Sequence, residues 1–246
     1  MTTRCSTPRS ISWSTAIFPA RPLKSPAIRT TRLLQVQQRP LRVPATAPAR
    51  LVVLASGTGS LLSSLLEAAA GDYPGRVVAV GADRACPALD VAAEASIPSF
   101  QVRLRDHPDR AAWDSALTEA VAQHAPDLVV SAGFMKILGP QFLSHFEGRI
   151  VNTHPALLPA FPGAHAVPDA IDYGVRVTGC TVHLVDSGVD TGPILAQEAV
   201  AVYEDDTAET LHERIKDVER RLLVDVLAAL ATRGVTWTGR KAMFGC

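Results

Sequence analysis

Apolar runs alternate with amphipathic stretches along most of this chain. Leu51–Ala55 (LVVLA) is apolar at every position, as a strand buried on both faces must be. A glycine-rich turn follows, Ser56–Ser60 (SGTGS), and then LLSSLLEAAA, which suits a helix. Arg76–Val80 and Asp127–Val130 read as further strands, and Ile97–Val102 as a short one. Pro87–Ala95 predicts a short helix. Asp109–Gln123 predicts an amphipathic helix with Asp109 as its N-cap. Strands alternating with helices at these spacings point to βαβ units and a parallel sheet. Right-handed crossovers would then bring the SGTGS turn, the loop Ala132–Gly139 (AGFMKILG) and the end of the run Arg149–Val151 to one carboxyl edge.

That last run leads into IVNTHPALLP, Ile150–Pro159. Residues i and i+2 of a strand share a face, so Asn152 and His154 would project together. Pro155 restricts His154 to extended backbone. An amide and an imidazole at a sheet's carboxyl edge are placed for chemistry. The same residues would also serve as a polar strand end, and N-x-H-P alone does not choose between the two.

Beyond His154 the pattern changes. Ala156–Ala170 holds three prolines and a glycine and reads as a long ordered loop. Ile171–Gly174 ends a short helix. Thr178–Val185 alternates as a strand and carries His183, and Asp186–Pro193 (DSGVDTGP) is a dense turn. Ile194–Val202 is the returning strand, so this part is antiparallel. Asp206–Glu209 resembles a capping-box start. A final helix runs to about Arg233, with Leu211, Ile215, Val218, Leu222 and Leu223 on one face and Gly234 at its end. The tail with Trp237 shows no pattern. The predicted fold is α/β: a Rossmann-like, mostly parallel twisted sheet, helices on both faces, and an antiparallel C-terminal part.

Composition narrows the setting. Residues 1–50 hold nine basic residues and no acid, so the rest carries 15 basic against 24 acidic ones. Such a body is a poor general nucleic-acid binder. The first fifty residues are rich in Ser, Thr, Pro and Arg and predict a disordered basic extension, residues 1–50, ahead of one folded domain, 51–246. The extension reads first as an over-extended start, which the Ala-, Arg- and Val-heavy body favours, then as a transit peptide, and last as a basic interaction arm. Cys5, Cys86, Cys180 and Cys246 lie far apart, which fits a reducing cytoplasm rather than a zinc site or a disulfide framework. No apolar run reaches the roughly 18 residues of a membrane span.

The strand–turn–helix at SGTGS aims backbone N–H groups and a helix N-terminus at an anion. Without a third glycine in register it suits a single phosphate better than a dinucleotide, and a plain tight turn would look the same. Four ordered pieces add weight: S-G-T-G-S, A-G-F-M-K-I-L, N-T-H-P-A-L-L-P-A-F-P-G and V-H-L-V-D-S-G-V-D-T-G-P. Together they resemble the glycinamide ribonucleotide (GAR) transformylase family, folate-dependent formyltransferases of purine synthesis, from about Leu51 to Arg233. The resemblance implies Asn152, His154 and Asp190 as catalytic residues. It implies GAR contacts at Gly59, Ser60, Leu61 and Glu219, and folate contacts at Arg110, Met135, Lys136, Ile137, Leu138 and Asn152. It implies 10-formyltetrahydrofolate as co-substrate, no metal, and a cytoplasmic monomer or homodimer. Two positions depart from the pattern: Leu61 where relatives can carry Asn, and Ala160 where Lys is frequent.

The implied transfer develops an oxyanion that needs donors, and Asn152 and His154 offer them. Asp190 would hold His154 charged and relay a proton. Formyltetrahydrofolate hydrolase and methionyl-tRNA formyltransferase share the trio. The former usually adds an N-terminal regulatory domain, which the first fifty residues do not resemble. The latter continues into an RNA-binding domain, whereas this chain ends 13 residues after its last helix. A non-catalytic folate- or nucleotide-binding protein on this scaffold is the other alternative, because fold alone does not give function.

Overall fold

The first apolar run is an interior strand. The computed structural model describes residues 39–41 and 48–245. Strand β2 (Ala49–Ala55) lies between β3 (Gly75–Ala82) and β5 (Leu128–Ser131), parallel to both. Its side chains alternate between two cores. Leu51, Val53 and Ala55 pack with Leu62 and Leu65 of α1 (Ser60–Ala68) and with Leu223 and Leu227 of α6 (Ala208–Arg233). Val52 and Leu54 pack with Trp113 and Leu117 of α3 (Arg110–Ala122) and Phe142 of α4 (Pro140–His145). A strand apolar at every position is therefore what a sheet covered on both faces requires.

The other elements are β1 (Arg39–Leu41), α2 (Pro87–Glu94), β4 (Ser99–Gln101), β6 (Ile150–His154), α5 (Ala166–Tyr173), β7 (Val177–Leu184), β8 (Ile194–Ala201), β9 (Val235–Thr238) and β10 (Lys241–Phe244). The sheet order is β1-β9-β10-β8-β7-β6-β5-β2-β3-β4. From β4 to β6 all neighbours are parallel; β7 runs against both β6 and β8. The α/β class, the mixed sheet and the antiparallel C-terminal part all match the expectation. Trp113 anchors the α3 side, fully buried, with its Nε1–H donating to the Val102 carbonyl at 2.9 Å. Asp109 caps α3 as predicted, accepting from the Ala112 N–H at 2.8 Å.

Several local expectations need correction. The tail is structured: β9 and β10 form an antiparallel hairpin, and β10 extends the sheet beside β8. Strands of four residues are too short to show a period. Within the segment expected to be disordered, Arg39–Leu41 pairs with β9 and β2 begins at Ala49, because the backbone there has ladder partners. The remainder of that expectation, together with Cys5 and Cys246, lies outside the described residues. Thr207, not Asp206, caps α6, closing a reciprocal box with Thr210. Helix α4 went unseen between the loop and β6; it starts on Pro140, which fits a first helical position.

Candidate active site

Strand β6 runs through His154, beyond the apolar run that announces it. Its polar end is paired to β7, with Asn152 opposite His183 and His154 opposite Thr181. Pro155 then ends the ladder, and the loop expected over Ala156–Ala170 is shorter than that, because α5 already begins at Ala166. Thr181, fully buried, pins that loop. Its hydroxyl donates to the Ala156 carbonyl at 2.6 Å and accepts from the Leu158 N–H at 3.0 Å. Gln197 on β8 donates to the Leu158 carbonyl and to Thr181, each at 2.9 Å.

His154 is buried and touches two acceptors. Its Nε2 lies 2.7 Å from the Phe161 carbonyl oxygen, so that nitrogen carries a proton. Its Nδ1 lies 3.3 Å from Asp190 Oδ2. Phe161 has φ +51°, a left-handed backbone that a bulky side chain resists, and this conformation holds its carbonyl against the ring. Burial pushes the His154 pKa below its ordinary value; Asp190 and the Phe161 carbonyl offset only part of that. Asp190 at 3.3 Å thus acts in the expected direction, favouring the charged ring, while loss of hydration acts more strongly the other way.

Asp190 reaches the ring from the 186–193 turn. Its backbone is also left-handed, φ +54°, which Asp tolerates better than most residues. Gly192 permits the bend: a Cβ there would come within 1.8 Å of the Leu184 carbonyl oxygen. Oδ2 of Asp190 accepts from the Gly163 N–H at 2.8 Å, and Oδ1 lies 3.6 Å from His183 Nε2. The His183 ring, the Gly163 N–H and the His154 ring hold this carboxyl down at about 2 against the effect of burial. It is ionised throughout the neutral range. The same His183 Nε2 is 3.2 Å from Asn152 Nδ2. Asn152, His154 and Asp190 thus meet, as expected, and His183 joins them.

These groups line a cavity of about 720 Å³, the size of a small-molecule site. Its lining includes Gly59, Ser60 and Leu61. Gly59 has φ +81°, and a Cβ on it would meet the Ala88 Cα at 2.8 Å. It turns the chain into α1, whose first N–H groups have no side-chain cap. Helix α6 contributes His212, Lys216 and Glu219 to the same lining. Glu219 is buried, and burial raises its pKa to about 7; a hydrogen bond from Thr153 and the nearby Lys216 act the other way. His212 and Lys216 were missed. Their signal was there: 212, 216 and 219 follow the helical i, i+4, i+7 spacing.

The AGFMKIL loop forms another wall. Met135 and Ile137 are 70% and 71% exposed there, and Leu138 is buried beneath. Lys136 lines the cavity and also reaches Asp83, 3.5 Å away. Arg110 does not line it: its guanidinium donates to the Ile137 carbonyl and stacks over Trp113. Ala160 is exposed outside the cavity. Among the described residues no cluster of three or more His, Cys, Asp or Glu side chains could hold a metal ion, and no helix is long and apolar enough to cross a membrane.

Known proteins resemble this chain in sequence and in fold. The formyl transferase family model matches residues 49–227. The phosphoribosylglycinamide formyltransferase of Mycobacterium tuberculosis is 72% identical over 208 residues, covering 85% of this chain and 97% of that protein. A solved glycinamide ribonucleotide transformylase from Symbiobacterium toebii is 40% identical with a TM-score of 0.78, covering 80% of this chain and 94% of that one. A formyltetrahydrofolate deformylase from Pseudomonas syringae is 28% identical with a TM-score of 0.75, covering 82% of this chain and 67% of that one. The matched segment contains the whole amide, imidazole and carboxylate set, and the chain belongs to the formyl transferase family.

Proposed function

We propose that the protein transfers the formyl group of 10-formyltetrahydrofolate to the amine of GAR, a step of purine biosynthesis in the cytoplasm. One observation carries this reading. Asn152, His154 and Asp190 converge in a single cavity that is also lined by a turn suited to phosphate and an apolar loop suited to a flat ring system. The 72% identity to a protein of that name supports it.

In this reading the Gly59–Leu61 turn takes the phosphate on its N–H groups, with Lys216, whose ammonium donates to Glu213 at 2.7 Å, in the same lining. Glu219 meets the polar body of GAR. Met135–Leu138 line the folate side, and Arg110 braces that loop through the Ile137 carbonyl. Both substrates then present their reacting atoms at the end of β6. The amine nitrogen attacks the formyl carbon, and the carbonyl oxygen takes up negative charge. Asn152 donates to it; one such donor is typically worth about 3–4 kcal/mol. His154 takes up a proton as charge develops, and the ionised Asp190 then holds both ring N–H groups in place with the Phe161 carbonyl. The bond from the formyl carbon to N10 breaks. One proton leaves the amine and one reaches N10, through His154, Asp190 or a water between them. Nothing is oxidised or reduced.

Transfer to water is the second reading, favoured by the likeness to the deformylase. The protein is mixed with 10-formyltetrahydrofolate with and without GAR. Loss of the formyl donor only when GAR is present is the expected result. Equal loss without GAR makes the protein a hydrolase, and no loss in either case leaves a binding protein.

A further inference from the structure

A buried carboxylate outside the cavity joins the two substrate walls. Asp83 follows the last residue of β3, at the carboxyl edge, and its side chain is only 1% exposed. Arg84 grips it through two nitrogens, Nη2 at 2.8 Å and Nε at 3.1 Å from Oδ2. Lys136 of the AGFMKIL loop approaches the same oxygen to 3.5 Å. The Ser56 hydroxyl donates to the carboxylate from the first position of the SGTGS turn. That hydroxyl also accepts the Met135 N–H at 2.8 Å, and the Ser56 N–H donates to the Gly133 carbonyl at 3.2 Å.

Asp83 therefore holds the Met135–Leu138 loop by two routes. One is direct, through the Lys136 ammonium. The other runs through Ser56 to the Met135 backbone, and Ser56 begins the turn on which Gly59 and Ser60 sit. Burial alone would raise the Asp83 pKa; the Arg84 and Ser56 hydrogen bonds and the Lys136 charge more than offset that and leave it below its ordinary value. The carboxylate is a fixed charge, covered from water, with partners on three segments. A buried charge keeps its partners more strictly than an exposed one, because losing a partner leaves it without compensation.

We infer that Asp83 is a positioning residue that locks the phosphate turn and the folate loop into one unit, so that formyl-donor affinity depends on it and responds to GAR. The inference rests on the assignment of those two walls to the two substrates. It makes no claim on the reacting atoms, which lie at the end of β6.

The test uses the whole protein with tetrahydrofolate and GAR as probes. Tetrahydrofolate affinity is measured by calorimetry with and without GAR, beside steady-state kinetics, for wild type, Asp83→Asn and Ser56→Ala. Asp83→Asn keeps the shape and removes the charge. It should weaken tetrahydrofolate binding about five- to twentyfold and bring the GAR effect on it close to one. The KM for the formyl donor should rise in parallel, with kcat at saturation within about twofold. Ser56→Ala cuts only the route to Met135 and should reproduce part of the loss. Wild-type affinity and GAR dependence in Asp83→Asn overturn the inference. Should that variant fail to fold, unchanged binding in Ser56→Ala overturns it alone. A Met135→Ala control separates the two levels: undiminished tetrahydrofolate binding there removes the wall assignment itself, whatever Asp83→Asn does.

Discussion

Asn152 and His183 are register partners on β6 and β7, with Asn152 Nδ2 3.2 Å from His183 Nε2. The other ring nitrogen, Nδ1, lies 2.9 Å from the Leu184 carbonyl and donates to it. Nε2 sits between the Asn152 amide and Asp190 Oδ1, the latter at 3.6 Å, so the His183 ring fixes where both side chains point. His183→Ala should lower kcat about 10- to 100-fold while KM for either substrate moves less than about threefold, as expected for lost orientation. Steady-state kinetics decide it; an unchanged kcat removes His183 from the site.

Asp190→Asn tests the carboxylate. Its charge is the main opposition to the burial that lowers the His154 pKa. Removing it should drive that pKa further down and make the charged ring harder to reach during turnover. We expect kcat to fall on the order of 10³-fold, with an unchanged circular dichroism spectrum. An NMR titration of the His154 ring should show the lower pKa. A near wild-type rate would take Asp190 out of the mechanism.

Glu219 makes a stability prediction with a definite sign. Its folded pKa is about 7, raised mainly by burial, against an ordinary value of 4.5. A raised folded pKa means the native state binds the extra proton. The associated stability is present below about pH 4.5 and is lost as pH rises through 7. The full span is about 3 kcal/mol, one pKa unit being about 1.4 kcal/mol. Glu219→Gln cannot titrate. Urea midpoints measured from pH 5 to 8.5 should therefore fall less steeply for the variant than for wild type. Parallel curves would place the raised pKa in doubt.

Much of this was legible in the residues, for identifiable reasons. β2 is apolar at all of Leu51–Ala55 because both its faces are covered, and a single motif, Asn152-Thr153-His154-Pro155, marks where the ladder stops. Asp190 is brought to His154 by an antiparallel excursion that the alternation at Thr178–Val185 announced. Other features depend on distant partners. The lowered pKa of His154 follows from burial among loops, which no local pattern reports. Thr181 reads as an ordinary strand threonine until the loop it pins is seen above it. Arg110 carries a fitting residue type at a fitting position, yet its side chain turns to the loop backbone.

The C-terminal hairpin supplies the last prediction. It lies beyond the segment matched by the family model, which ends at residue 227. Arg240, between β9 and β10, donates from Nη2 to the Asp190 carbonyl at 3.0 Å. The Arg240 carbonyl in turn accepts the Ile194 N–H at 3.2 Å, so the hairpin is tied to the chain just past the turn that carries Asp190. Asp190 needs such support because its left-handed backbone is of higher energy than an extended one. From the other side the turn is braced by Asp186, which accepts from the Gly188 N–H and the Thr191 hydroxyl. Arg240→Ala removes one exposed hydrogen bond, so global stability should change by less than about 1 kcal/mol. A small shift of the carboxylate is enough to slow the reaction, and kcat should fall about three- to tenfold, with Arg240→Lys recovering part of it. Equal kcat in all three proteins would mean that the turn holds Asp190 without the hairpin.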